Sequence, residues 1–485
     1  MCGMYPGRFV RIKAHGLLHY LREFIKMKTT MRKQQAEIGK GIKPICKALV
    51  TALMAGCVSQ AFGSSNFSGV IEEDFSGEAT KNKWLMPLPG DGFSTRKDRP
   101  ATNQACLTAG TQASTPTATV AGSPPGCVEG GRDSPGKGVL RLTPVAQYKV
   151  GGIVSDFTFG TKEGVEITFI THTWGGDGAD GMTFFLADGS KPATLGASGG
   201  AIGYQCSLEN PIFSGVYGGY IGIGIDEWGN FVNERDNTSS GVGGAENAIG
   251  IRGAGSVNHT YISKHLLQEV YDKFGWGGVP HSVQNRWENL WASKGWDGIE
   301  SYSTESYNRF TNICRTGKLT IDSSYLPAGQ GSLELSENAT DSRLKLYNYK
   351  YLAHKVLSER FAIDLKHPKY KGKKIEDLPK SRDMITPMLY KIRITPDGKA
   401  SVWISYNGGE FQPVMKDFDI VTENGPLPDS FRFGFMGATG GFTNNHEVTC
   451  FKAAPATQSE GSADVNLPDA KLVSGAQVYL SFFNK

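Results

Sequence analysis

The sequence predicts an all-β protein, a β-sandwich carrying helical and loop insertions. Three observations carry that reading. The 485 residues include 62 Gly and 11% aromatics, with many short Gly/Asn/Asp-rich breaks and few long helical patterns. Apolar residues alternate with period two in several runs, and turn signals separate these runs roughly every ten to twenty residues, the rhythm of a sandwich. Residues 390–404 form two alternating runs joined around Asp397 and Gly398, a strong hairpin signal. The length allows about two to four average domains, or one large β domain with insertions.

Taken in order, residues 69–75 and 139–143 read as short opening strands. Residues 108–125 between them form a loop rich in Thr, Ala, Ser and Pro. The clearest β core runs from 164 to 231, with strands expected at 165–171, 181–187 and 200–204. A further strand follows at 221–225, where Ile221, Ile223 and Ile225 alternate with Gly222 and Gly224. Residues 261–271 place apolar side chains at helical spacing, and 283–293 do so more weakly, so both read as helical insertions. Residues 340–383 are loop-rich, with a basic run at 366–380 that reads as a solvated face. β structure returns at 390–404, 431–437 and 447–451, and no internal repeat is visible.

The formal net charge of +4 is unevenly spread. Residues 1–62 hold 11 Lys and Arg against Glu23 and Glu37, a net of +9, so the rest of the chain carries −5. A mildly acidic body argues against nucleic acid as a partner. The basic front reads as an address. Lys40, Lys43 and Lys47 precede an apolar run at 48–55 and small residues near Ala61, the three parts of a secretory signal peptide. Residues 1–61 are therefore expected to be a targeting segment, with the true start at Met27 or Met31. The run is too short to span a bilayer core of about 30 Å. Residues 54–57 also resemble a lipobox, which would acylate Cys57 and tether the protein to a membrane. Export to the periplasm, cell surface or medium permits disulfides. Beyond Ala61 the chain holds Cys106, Cys127, Cys206, Cys314 and Cys450. Cys106 and Cys127 flank a loop and make the best local pair, and the odd count leaves one thiol over.

At Asp226 the 221–225 strand turns into a cluster of oxygen donors. Asp226, Asn230 and Asp236 can converge on a hard cation, since calcium takes six to eight oxygens. Trp228 sits among them with a large flat face. The same residue types also build any tight turn. Three more Gly-rich segments stand beside this one: 175–181, 198–203 and 437–446.

In this order and spacing the four segments resemble the binding loops of the leguminous-type (L-type) lectins, and of their bacterial branch in particular. They are Ala179-Asp180-Gly181 ahead of an aromatic strand, Gly199-Gly200-x-x-Gly203, Asp226-x-Trp228-x-Asn230, and Thr439-Gly440-Gly441 ending in His446. The resemblance covers roughly residues 65–452. It implies a concanavalin-like jelly-roll sandwich at 64–455 and one bound Ca2+. It gives Asp180 two sugar hydroxyls to accept from, after a cis Ala179–Asp180 peptide. Gly200 supplies a backbone N–H to the sugar, an approach that only Gly allows. Asn230 serves both ion and sugar, Trp228 lends a carbonyl to the ion and its ring to the pyranose, and Gly441 and Phe442 tune which sugar fits. Asp226, Trp228, Asn230 and Asp236 form the implied metal set, with Glu234 the competitor for the last place. The family's second, transition-metal site needs a Glu at position 224, where this chain has Gly, so that site is expected to be absent. His446 reads as a structural histidine. The alternating tail at 471–483 resembles the segment that joins such a domain to the body of a type IV pilus-tip adhesin. Residues 456–485 would then be a linker to a truncated C-terminal region, with pilus components among the partners.

The functional expectation is a calcium-dependent, carbohydrate-binding lectin, exported and serving in surface adhesion, with glycans or glycoconjugates as partners. A glycoside hydrolase of the same shape is the enzyme alternative, and a protein-recognising adhesin module is the other. Hydrolysis needs two carboxyls about 5–9.5 Å apart. Here Gly224 precedes Asp226 on that face and Trp228 follows it, while Glu227 points the other way. Binding is therefore expected rather than catalysis.

Overall fold

The computed structural model describes residues 69–90, 102–128, 132–207, 214–233, 240–257, 348–357, 379–406 and 408–456, together with Cys314 and the backbone of three further short stretches. The expected targeting segment at 1–61, the helices at 261–271 and 283–293, Glu234, Asp236 and the tail at 471–483 lie outside the described residues.

Two sheets dominate. The first has nine strands in the order β1 (Asn66–Phe67), β7 (Thr158–Gly160), β18 (Ser430–Ala438), β9 (Gly181–Asp188), β10 (Gly219–Asp226), β11 (Ala248–Arg252), β14 (Tyr351–Val356), with β6 (Val150–Ser155) also on β18 and β3 (Trp84–Leu85) on β6. The second has eight in the order β17 (Gln412–Asp419), β16 (Lys399–Tyr406), β15 (Met388–Ile394), β8 (Val165–Trp174), β19 (Asn445–Ala454), β5 (Leu140–Thr143), β4 (Cys106–Leu107), with β2 (Ile71–Glu73) on β19. A separate pair joins β12 (Leu319–Ile321) to β13 (Leu333–Leu335). Within these sheets every strand pair is antiparallel except β1 with β7. The architecture is the β-sandwich that composition and alternation predict. The hairpin at β15 and β16 is also as expected, closed by Gly398 at φ 80°.

Alternation decides what each strand face meets. Val165, Ile167 and Phe169 of β8, Tyr390 and Ile392 of β15, Phe184 of β9, Ile223 and Ile225 of β10, and Phe433 and Phe435 of β18 fill one core shared by the two sheets. Phe169 stacks on Tyr390 with centroids 4.8 Å apart and reaches Phe184 of the other sheet at 5.0 Å. A second core covers the far face of the nine-stranded sheet with Phe185, Tyr204, Phe231, Val232, Tyr349 and Met436. β10 is thus buried on both faces. Its Ile side chains enter the shared core, and its glycines lie beneath rings: a Cβ on Gly222 would collide with Tyr204, and one on Gly224 with Phe231.

Two local expectations need correction. Residues 200–204 do not form a strand. Gly199–Ala201 is a 3-10 turn, and Gly199, Ile202 and Gly203 hold φ of 63°, 35° and 92°, which reverses the chain and delivers Tyr204 onto β10. Residues 351–356, expected within a loop-rich stretch, form β14 against β11. Its side chains are largely half-exposed, as at an uncovered edge, so its apolar alternation is weak.

Disulfides join Cys106 to Cys127, the expected pair, and Cys206 to Cys314, while Cys450 keeps its thiol. On the outward side of the eight-stranded sheet, Glu447 is wholly buried and accepts hydrogen bonds from Arg141 (2.8 Å), Arg382 (2.8 Å) and the Trp174 indole (2.7 Å). Burial alone would raise this carboxyl, but the two guanidiniums outweigh it and hold it below its ordinary range. For His172 beside them, burial pushes the imidazole down from 6.5 to about 4, with Glu447 opposing and Arg382 reinforcing the shift.

Two outcomes follow from this packing. Gly224→Ala is expected to lower the unfolding free energy by about 1–3 kcal/mol in urea titration, because the added methyl overlaps the fully buried Phe231 ring. The second concerns acid. His172 binds its proton more weakly folded than unfolded, so the unfolded chain takes one up first as pH falls below 6.5, and stability is lost down to about 4. Melting temperature measured across that window should fall steeply in the parent protein and less steeply in His172→Gln.

Candidate functional site

Three loops leave one end of the nine-stranded sheet's central strands side by side, because register aligns their roots. Gly181 at the start of β9 is opposite Asp226 at the end of β10 and opposite Ala438 at the end of β18. The segments entering β9, leaving β10 and leaving β18 are therefore neighbours, although they are far apart in sequence. Hydrogen bonds join them further. Asp177 N donates to Thr443 O (2.8 Å), and Thr443 N donates to the Asp177 carboxylate (2.7 Å). Gly176 has no room for a Cβ beside the Thr443 carbonyl.

Asp180 stands at the centre. The Ala179–Asp180 peptide is cis, as the resemblance implies. Asp180 N donates to Ala438 O (2.9 Å), and Asp180 O accepts from Glu227 N (3.1 Å) and Trp228 N (3.3 Å), so one residue is backbone-bonded to both neighbouring loops. Its carboxylate lies under Gly440, where a Cβ would stand 3.1–3.2 Å from both oxygens. Gly200 arrives from the 3-10 turn and presses its backbone on Asn230; a Cβ there would collide with that side chain. Trp228 and Phe442 face each other, ring centroids 5.0 Å apart and planes inclined by 33°. Both rings are partly exposed, while Gly441 is exposed and has open space where a side chain would stand. The structure thus brings together Asp180, Gly200, Asp226, Trp228, Asn230, Gly441 and Phe442.

Asp226 is 1% exposed and accepts from Gly229 N (2.8 Å) and Phe231 N (2.7 Å). Burial nevertheless pushes its carboxyl up to about 8; the two N–H groups oppose this, and the Asp180 and Glu227 carboxylates add to it. Such a site gains from a nearby cation, whose charge reverses the preference for the protonated acid. The donors present fit calcium. Asp226, Asn230 and loop carbonyls offer the hard oxygen set of that ion, whereas thiols and imidazoles select transition metals. Among the described residues no three His, Cys, Asp or Glu side chains gather as a metal cluster, and the expected fourth ligand, Asp236 or Glu234, is not among them. Position 224 has no space for a ligand side chain, because Phe231 lies on it.

Sequence reasoning left Glu227, Asn444 and Thr143 without a role and made His446 only structural. All four are buried and connected. Glu227 accepts from Asn444 Nδ2 (2.7 Å) and lies 2.9 Å from His446 Nε2, while His446 Nδ1 lies 2.6 Å from the Thr143 hydroxyl. The available signal was the period of two, which turns Glu227 away from Asp226 and into the protein.

No protein-family description matches the chain, and no curated protein does. Solved structures are similar to it. The VIP36 exoplasmic/lumenal domain in its Ca2+/Man-bound form is 11% identical, with 65% of this chain and 78% of that one covered and a TM-score of 0.31. Winged bean acidic lectin complexed with methyl-alpha-D-galactose is 11% identical, with 79% and 97% covered and a TM-score of 0.34. Lectin I-B4 from Griffonia simplicifolia in its metal-free form is 13% identical, with 65% and 87% covered and a TM-score of 0.30.

Gly200→Ala tests the packing of the site. Its methyl must displace Asn230, so the expected result is a stability loss of about 1–3 kcal/mol by urea titration. An unchanged midpoint would mean that the 3-10 turn is not seated on Asn230.

Proposed function

We propose that this chain is a calcium-dependent carbohydrate-binding lectin. The observation that carries the reading is the meeting, at the ends of three neighbouring strands, of a buried carboxylate, an amide and a partly exposed aromatic pair. Asp180, Asn230 and the Trp228–Phe442 rings supply these three parts. Sugars offer adjacent hydroxyls to a carboxylate and an apolar ring face to an aromatic, and both needs are met here. Asp180 accepts from vicinal hydroxyls. Asn230 orients the ring through its amide, and Trp228 excludes water from one sugar face. Calcium, when bound by Asp226, Asn230 and the Trp228 carbonyl, neutralises the buried carboxylates and fixes the loop.

Binding is favoured over hydrolysis by the same residues. Glu227 is engaged by Asn444 and His446 in the interior, and position 224 is closed by Phe231, so neither of these positions offers Asp226 a free acid partner. Export and surface adhesion belong to the same proposal. They are supported by the basic and apolar front of the sequence and by two disulfides, which persist in oxidising compartments. A partly exposed site with few polar contacts yields monosaccharide affinity of about millimolar, near −4 kcal/mol. Useful adhesion then comes from several copies on one surface.

The test is retention on immobilised mannose- and galactose-type glycans. Retention is expected to require calcium, to end on chelation, and to be abolished in Asp180→Ala. Retention that survives both chelator and Asp180→Ala overturns the mechanism, and release of reducing sugar from a polysaccharide panel returns the hydrolase.

A further inference from the structure

Thr143, His446 and Glu227 form a hydroxyl–imidazole–carboxylate chain of the kind that activates a nucleophile elsewhere. Here it is sealed: Thr143 and His446 are 0% exposed and Glu227 is 2% exposed. No substrate reaches the hydroxyl, so the chain holds position rather than reacts. What it holds is specific. Glu227 stands between Asp226 and Trp228, and its polar groups are taken by three parts of the fold. Its N–H donates to Asp180 O (3.1 Å) and its carbonyl accepts from Asn247 N (3.3 Å). One carboxylate oxygen receives Asn444 Nδ2 (2.7 Å), and the other lies 2.9 Å from His446 Nε2. Asn444 in turn accepts from Gly176 N (2.9 Å) and stands two residues after Phe442. One buried carboxylate therefore links the 175–180 loop, the 227–230 loop and the 439–446 loop.

We propose that Glu227 is the positioning residue of the sugar slot, and that Asn444 and His446 are the struts through which it sets the spacing between the Trp228 and Phe442 rings. The inference rests on the lectin reading and goes beyond it. Glu227 touches neither sugar nor ion, and it acts by fixing the two walls against each other. A Gln at 227 can keep the arrangement. Its carbonyl accepts from Asn444, its amide donates to His446 Nε2 in the other tautomer, and Nδ1–H then donates to Thr143, whose hydroxyl turns to Asn444 O at 3.2 Å. An Ala cannot, and leaves two buried donors without an acceptor.

The experiment compares the full chain with Glu227→Ala, Glu227→Gln and Asn444→Ala, each with Arg382→Ala as a control for stability loss on the other sheet. Indole N–H resonances are recorded on 15N-Trp-labelled protein in calcium chloride, with Trp228 assigned through Trp228→Phe and buried Trp84 as internal reference. Retention is measured on mannose- and galactose-bearing beads. Glu227→Ala and Asn444→Ala are expected to shift the Trp228 signal but not the Trp84 signal, and to weaken retention about tenfold. Glu227→Gln and Arg382→Ala should keep both. If Glu227→Ala and Asn444→Ala lower the melting temperature yet leave Trp228 and retention unchanged, the bridge is merely structural and the proposal is overturned. Should Glu227→Ala not fold, Asn444→Ala alone decides by the same readouts. Should the parent protein be retained on neither bead, the lectin reading fails while the Trp228 signal still decides whether Glu227 positions the ring.

Discussion

Everything at the candidate site depends on β10 being buried on both faces and ending in a polar loop. A strand with two cores cannot carry large side chains on both sides where one cover lies as close as Tyr204 and Phe231 do. The chain resolves this with Ile221, Ile223 and Ile225 toward the shared core and Gly222 and Gly224 beneath the rings. The rings then pack directly on backbone, which locks the 231–232 segment that follows the loop. A loop whose two ends are both anchored in core holds its donors in place at little entropic cost.

Where β10 ends, its period of two sends two adjacent carboxylates to opposite sides. Asp226 turns back on its own loop and accepts from Gly229 and Phe231, while Glu227 enters the interior. Burying two acids side by side is costly unless each is matched. Backbone N–H groups and a site suited to a cation answer the first, and Asn444 and His446 answer the second. β19 repeats the device with its own adjacent pair. His446 faces Glu227, and Glu447 turns to the other side of its sheet toward Arg141, Arg382 and Trp174. The first residues of β19 thus fasten both polar layers of the sandwich.

These pairings explain what was legible beforehand. The Ile/Gly alternation, the Asp397–Gly398 hairpin and the Cys106–Cys127 pair are local patterns, and each is written within a few tens of residues. The assignment of Asp180, Gly200, Asn230 and Phe442 to one place rested on motif order, because no local rule aligns β9, β10 and β18. The Glu227–His446 bridge spans 219 residues of sequence and had no such motif. The turn at Gly199–Ala201 was misread as entering a strand, since Ala201, Ile202 and Tyr204 look apolar and extended until the left-handed angles of Gly199, Ile202 and Gly203 are known. β14 escaped notice for the opposite reason: an edge strand with half-exposed side chains has no burial pattern to betray it.

The least constrained part of the site is also the part that meets a ligand first. Asp180, Asp226 and the Asn230 side chain are fixed by sheet register, loop hydrogen bonds and the Gly200 contact. Phe442 is held by its partner ring and its neighbours in the loop, and Gly441 has open space where a side chain would stand and accepts a hydrogen bond from Gln147 Nε2 at its carbonyl (2.9 Å). Changes at 441 and 442 therefore disturb little of the core, whereas changes at 180, 200, 224 or 227 strike packed backbone or buried charge. Under the proposed lectin reading, selectivity can drift at the rim while the floor stays the same, which is the behaviour expected when a rigid scaffold carries its function on loops.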